Sequence, residues 1–271
     1  MKNMTPTLFD ELASADRLGR RCALATVAAT RGSVPREPGA KMIVYADGRI
    51  SGTVGGGKFE SLLIADCLEA LSNGTPALKT YVLREDHPDS FGAICGGEVT
   101  VLIEPQGTRE SIYLVGAGHC AQALARLGNS CNLRIIVIED REDIVESFEP
   151  ADQKIIEISA PEFIACHDWQ PSDALILLSR SYGMDRDALI AALGRPNIGY
   201  LGMIGSRRKV LRVFDEIRKS GIDESAFTRV HAPIGLDIGA DSPEQIAVSI
   251  MAEILTVLRG RSGKPLRISL S

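Results

Sequence analysis

Gly116, Gly118 and Ala121 stand at the spacing G-x-G-x-x-A, directly after the apolar run Ile112-Tyr113-Leu114-Val115. A second β-branched run, Ile135-Ile136-Val137-Ile138, ends in Glu139-Asp140, 23 and 24 residues after Gly116. Strand, glycine turn, helix, strand and acid in this order make a dinucleotide-type unit, and each residue type has a physical task. Gly116 permits the tight turn. Gly118 lets backbone N–H groups come close to a phosphate, and the start of the following helix favours an anion. Ala121 keeps that helix close to the sheet. Glu139 or Asp140 is placed to accept hydrogen bonds from a ribose.

Three further clusters have the chemistry of anion or metal binding. Gly55-Gly56-Gly57 precedes an amphipathic helical stretch and exposes several N–H groups at a strand-to-helix junction. Cys95-Gly96-Gly97 places a thiol in a loop with little bulk around it, where neighbouring N–H groups favour the thiolate. Ser206, Arg207, Arg208 and Lys209 combine a helix cap with three successive cations. Each has an alternative reading: a tight packed turn, a small buried thiol, and a solvated basic turn. His119 sits inside the first glycine turn, and His231 is the other histidine near an expected ligand edge. The stiff, proline-flanked loop around Arg36 suits an anionic ligand or serves as a solvated connection.

These residues need elements to hold them. The 271 residues suffice for two domains of ordinary size, and 45% hydrophobic with 24% charged residues is a soluble globular composition. A net charge of −5 gives no basic footprint for nucleic acid. No apolar run approaches the ~20 residues of a membrane span, and residues 1–10 lack the core of a secretory signal. The expectation is a cytoplasmic protein. Six cysteines include no C-x-x-C and no zinc spacing, and Cys22, Cys67, Cys131 and Cys166 read as small core or near-surface residues.

Residues 7–20 have the spacing of an opening amphipathic helix, and residues 22–30 of a strand. Residues 41–47 and 50–54 flank Asp47-Gly48 as a hairpin. Strands follow at 79–84 and 98–103, and Pro105-Gln106-Gly107-Thr108 reads as a linker. Beyond it strands and helices alternate, with strands at 154–158, 174–178 and 200–204 and helices at 185–193, from 206 to 219, and 243–258. The expected fold is α/β: a smaller mixed α/β domain over 1–106, then a Rossmann-like domain with a mainly parallel sheet over 107–271.

The motifs together resemble the XdhC/CoxI accessory proteins of molybdenum hydroxylases such as xanthine dehydrogenase. The likeness runs from about Cys22 to Arg259, through ATVAATRGSVPREPGAKM, GTVGGGKFE, AICGGEVTVLIEP, IYLVGAGHCAQALA, YLGMIGSRRK and HAPIGLDIGADSPEQIAVSIMAEIL. One departure is Ser179-Arg180-Ser181-Tyr182-Gly183-Met184-Asp185, where the family pattern leads one to expect histidines.

The resemblance implies a chaperone that binds molybdenum cofactor in its molybdopterin form, with a nucleotide as a further candidate ligand. It implies a cysteine desulfurase-type sulfur donor, an apo molybdenum hydroxylase as recipient, and a homodimer. Expected cofactor contacts are Gly55, Gly56, Gly57 and Glu60; Cys95, Gly96 and Gly97; Gly116, Gly118, His119 and Asp140; and Ser206, Arg207, Arg208 and Gly235. Cys95 is the expected metal ligand, in a cleft between the domains. The glycine turn taken alone suggests an NAD(P)-dependent oxidoreductase instead, although no convincing proton-transfer pair accompanies it. A purely structural adaptor has little use for three glycine-rich anion sites.

Overall fold

The computed structural model describes residues 6–83, 96–107 and 109–267. The chain divides into two compact units, 1–108 and 109–271.

In the first unit a capping box between Thr7 and Asp10 starts helix α1 (Leu8–Arg17). Strands β1 (Cys22–Arg31), β2 (Lys41–Tyr45) and β3 (Ile50–Gly52) precede helix α2 (Gly57–Asn73), which Gly74 ends in the left-handed conformation. Strands β4 (Ala77–Val82) and β5 (Glu98–Gln106) complete an antiparallel sheet of order β3-β2-β1-β5-β4 among the described residues. Phe59, Leu63, Cys67 and Leu71 of α2 pack against Ala25, Val44, Val101 and Ile103. Pro105 and Gln106, read above as linker, instead extend β5, pairing with Ala23 and Cys22. They can do so because pairing with β4 stops at Ile103, leaving an edge on which a residue without an N–H costs nothing.

The second unit begins with β6 (Ser111–Val115), helix α3 (His119–Ser130), β7 (Arg134–Ile138), helix α4 (Glu142–Glu146) and β8 (Gln153–Ile155). Helix α5 (Ala160–Cys166), β9 (Asp173–Leu177), α6 (Tyr182–Leu193), β10 (Tyr200–Met203) and α7 (Arg207–Lys219) follow. A 3-10 turn at Glu224–Arg229 leads to β11 (Val230–His231) and helix α8 (Pro243–Leu258).

The strands of this unit lie in the order β11-β10-β9-β6-β7-β8, every pair parallel. Counted from β6 this is the doubly wound order whose connections reverse direction between β6 and β9. Both sheet faces are covered, so β6 and β9 are buried at every residue and read as continuous apolar runs. α3 and α8 supply Leu124, Ala125, Ile250 and Ile254 to one face. α5, α6 and α7 supply Ile164, Leu189 and Val213 to the other. No described helix is long and apolar enough to cross a membrane.

Candidate functional site

In a sheet of this order the crevice opens where the connections diverge, at the carboxyl ends of β6 and β9. A cleft of about 520 Å³ lies there, lined by Val115 and Gly116, Ile138 to Asp140, Ile158 to Pro161, and Arg180, Ser181, Met184 and Asp187. Gly116 and Asp140 thus meet, with Gly118 and His119 on the turn just beyond.

The glycines of the turn differ in what they do. Gly116 has φ +108, and a Cβ on it would stand 2.6 Å from the Leu178 carbonyl oxygen. Its glycine is required by the fold itself. Gly116→Ala is therefore expected to destabilise the chain by about 2–4 kcal/mol through strain and overpacking, measured by urea unfolding. Gly118 is the N-cap of α3 with an ordinary φ of −73, and nothing lies within 4 Å of an added Cβ. The chain has no internal need for glycine there; the space is open for a ligand. No described residue accepts from the N–H groups of Gly118, His119 and Cys120, and no side chain caps this helix start.

The acids after β7 are both engaged. Glu139, with only 2% of its side chain exposed, accepts from the Ala117 N–H at 3.1 Å and so pins the glycine turn. Its oxygens also accept from Arg141 at 3.0 and 2.8 Å and from Arg180 at 3.0 Å. Asp140 is more exposed and takes a two-pronged contact from Arg180, at 2.6 and 3.0 Å. The Arg180 guanidinium holds the Asp140 carboxyl well below the usual carboxylate range. No local signal marks Arg180 in the sequence: it stands 40 residues from Asp140, in the loop that departs from the family pattern.

That loop is built on a buried ion pair. Asp185, fully buried, accepts from the Ser179 N–H at 3.1 Å and from the Lys209 ammonium, which also donates to the Ile204 carbonyl at 3.2 Å. Lys209 is thus a clamp between α7 and the start of α6. Ser206 spends its hydroxyl on capping α7 through the Lys209 N–H, while Arg207 and Arg208 face solvent. None of the three lines the cleft.

Gly235 is also elsewhere. Its N–H donates to Glu253 at 2.8 Å, and Glu253 further accepts from Tyr200 at 2.5 Å and pairs with His231 Nδ1 at 3.1 Å. His231 stacks on Tyr200, so this histidine belongs to the anchor of the loop after β11. Burial works to raise the Glu253 carboxyl, but the hydrogen bonds from His231, Tyr200 and Gly235 outweigh it and leave it lowered. A folded-state pKa below the unfolded value means this anchor stabilises fully above about pH 4.3 and is lost as pH falls further. Glu253→Gln should therefore lower the thermal midpoint at neutral pH and flatten its fall in acid, as read by circular dichroism across pH.

In the first unit, three small-residue loops converge. A Cβ on Gly55 would meet Pro35 at 2.5 Å, one on Gly97 would meet the Ser33 carbonyl at 2.3 Å, and one on Gly32 would meet the Gly96 carbonyl at 3.2 Å. Gly56 and Gly57 have φ of +79 and +67 with open space above them, and Gly56 leaves α2 without a side-chain cap. Glu60 is held by the Thr53 hydroxyl at 2.6 Å, which accepts in turn from the Gly55 N–H at 3.2 Å. A cleft of about 340 Å³ is lined by Arg31, Gly32, Gly96, Gly97 and Glu98. Cys95 lies outside the described residues, and among those described no cluster of His, Cys, Asp or Glu could hold a metal.

The second unit is thus a doubly wound nucleotide-type domain with an open, uncapped glycine turn at its switch point. Comparison with known proteins gives it a family. Residues 112–254, more than half of the chain, match the XdhC Rossmann domain, and residues 15–82 match the XdhC and CoxI family. The chain belongs to the XdhC and CoxI family.

Among similar curated proteins, the uncharacterized protein YqeB of Escherichia coli K12 is 34% identical over 258 residues, 94% of this chain and 47% of that protein. A probable xanthine dehydrogenase subunit from Bacillus subtilis 168 is 32% identical over 155 residues, 56% of this chain and 43% of that protein. The molybdenum cofactor insertion chaperone PaoD of Escherichia coli K12 is 24% identical over 273 residues, 88% of this chain and 84% of that protein. The chain spans about half the length of the first two relatives. The crystal structure of a xanthine dehydrogenase from Bacillus halodurans aligns with a TM-score of 0.49 at 20% identity, over 94% of this chain and 96% of that one.

Proposed function

We propose that the protein carries molybdenum cofactor to an apo molybdenum hydroxylase of the xanthine dehydrogenase type. On this reading it holds the cofactor while a cysteine desulfurase-type donor supplies sulfur, as a cytoplasmic homodimer with its two domains divided near residue 106. Family membership supports the reading, and so does a relative named as a molybdenum cofactor insertion chaperone. The observation that carries it is the turn at Gly116 to Cys120. There the N–H groups of Gly118, His119 and Cys120 have no acceptor among the described residues, no side chain caps the helix start, and nothing lies within 4 Å of a Cβ on Gly118, a setting suited to the phosphate of a pterin cofactor. Within the first unit, Gly32, Gly96 and Gly97 line a cleft of their own, next in sequence to Cys95, which is the proposed metal ligand.

An oxidoreductase is supported less well. The described residues lining the cleft of the second unit include no histidine, lysine, tyrosine or cysteine. The acids there are paired with Arg141, Arg180 and Arg186, so none stands free to move a proton during hydride transfer. Reconstitution tests the proposal: apo-hydroxylase mixed with sulfurated cofactor should gain activity faster and further when this chain is the carrier. Equal activation by free cofactor under competing apo-acceptor protein would contradict it.

A further inference from the structure

We infer that the exposed side of helix α7, at Arg207, Arg208 and Leu211, is a docking surface for a protein partner that presents carboxylates around an apolar recess. Resting on the carrier reading above, that partner is the apo-hydroxylase.

The fold leaves these three side chains without a use. α7 buries Val210, Val213 and Ile217, and Lys209 is spent on Asp185. Arg212 lies over the Tyr182 ring, 5.0 Å from its centre. Arg207 and Arg208 are exposed, and their guanidinium groups have no partner among the described residues. Leu211, 51% exposed, stands three and four residues on, so it shares one side of the helix with both arginines.

The arginines also stand against a local rule. Helices α1, α2, α4, α5, α6 and α8 each carry an acid in the first turn, where the helix dipole favours one. α7 has no acid there and opens on Arg207-Arg208-Lys209. That arrangement works against the helix and gains from carboxylates brought from outside. Further along, Arg218 pairs with Asp215 at 2.6 Å and Glu224 at 2.7 Å, so the uncompensated charge is confined to the start of the helix.

The patch selects its partner. Two guanidinium forks match carboxylates, and Leu211 beside them needs an apolar seat. The chain as a whole carries a net charge of −5, so a duplex or an anionic membrane would meet repulsion around this patch. A limited acidic area on a protein would not. Position gives the docking a purpose. α7 follows β10 at the carboxyl edge of the parallel sheet, the edge at which the cleft of the second unit opens. It is tied to one wall of that cleft, since Arg212 covers Tyr182 and Glu216 pairs with Arg186 at 3.2 Å. Ser181, Met184 and Asp187, from the same start of α6, line the cleft.

The test is surface plasmon resonance of the chain over immobilised apo-hydroxylase. Affinity is expected to fall as salt rises from about 0.05 to 0.5 M. The double change Arg207→Glu with Arg208→Glu should weaken binding about a hundredfold, chiefly through slower association, because like charges then meet. Leu211→Ser should speed dissociation about tenfold. Both variants should retain molybdenum cofactor as the wild type does, since these residues lie outside the cleft. The double variant should melt no lower than the wild type, because acids suit a helix start; lost binding is then not lost folding. Unchanged affinity in the double variant would overturn the inference alone. So would a loss of cofactor retention in that variant, which would make the arginines cofactor contacts, or a loss of binding to duplex DNA in place of the hydroxylase. No binding of the wild-type chain to apo-hydroxylase would overturn it as well. Variant-sensitive binding by a chain that retains no molybdenum would overturn only the carrier function.

Discussion

Gly118→Val is expected to lower retention of molybdenum cofactor by more than about a hundredfold, since it would remove two or more hydrogen bonds to an anion. The chain should stay folded, and the structure says why. φ at Gly118 is −73, a value any residue adopts, and nothing lies within 4 Å of the added Cβ. A branched side chain therefore enters solvent or ligand space rather than the core. The cost to the fold is only the poorer N-cap, about 1 kcal/mol. The neighbouring Gly116→Ala should behave in the opposite way, losing stability first. Thermal midpoints beside cofactor retention separate the two glycines; unchanged retention in Gly118→Val would remove the turn from the binding site.

Lys209→Met should destabilise the second unit by about 3–5 kcal/mol, the range for removing one partner of a buried ion pair. Asp185 would be left with the Ser179 N–H but without its cation, at a site with no exposed side-chain surface. The double change Asp185→Leu with Lys209→Met should recover much of that loss, because the uncompensated buried charge is gone. Chemical unfolding of both single variants and the double variant measures this. Additive losses would mean that the two side chains act independently.

The glycine turn, its flanking strands and the acid after β7 are legible in the sequence because they are local. Short apolar runs, a fixed glycine spacing and the 23 or 24 residues to Glu139 and Asp140 all lie within one β-α-β unit. What is not legible depends on pairing across the fold. Arg180 reaches Asp140 over 40 residues, and Asp185 reaches Lys209 over 24. Lys209 therefore reads as one cation of a basic anion site with Ser206, Arg207 and Arg208, while in the fold its half-buried ammonium is held by the buried Asp185. Gly235 reads as a ligand contact, and its N–H is taken by Glu253 from α8.

Two helices escape the sequence pattern for different reasons. α4 has five residues, too few to show a period. α5 has seven, but its start is written in Ser159 and Glu162, whose capping box the structure contains. Glu139 reads in the sequence only as a ribose candidate beside Asp140. Its burial under Arg141 and Arg180 follows from the turn it pins, since the Ala117 N–H it accepts is itself buried.

The central claim is that this chain holds molybdenum cofactor, and direct loading tests it. The chain is mixed with isolated molybdenum cofactor under exclusion of oxygen and desalted, and protein-bound molybdenum and pterin are quantified together. The account predicts that both are retained in equal amounts, stoichiometric with the chain, and are transferred on adding apo-hydroxylase. Retention of neither, together with turnover of NAD(P) with a small substrate, would contradict it.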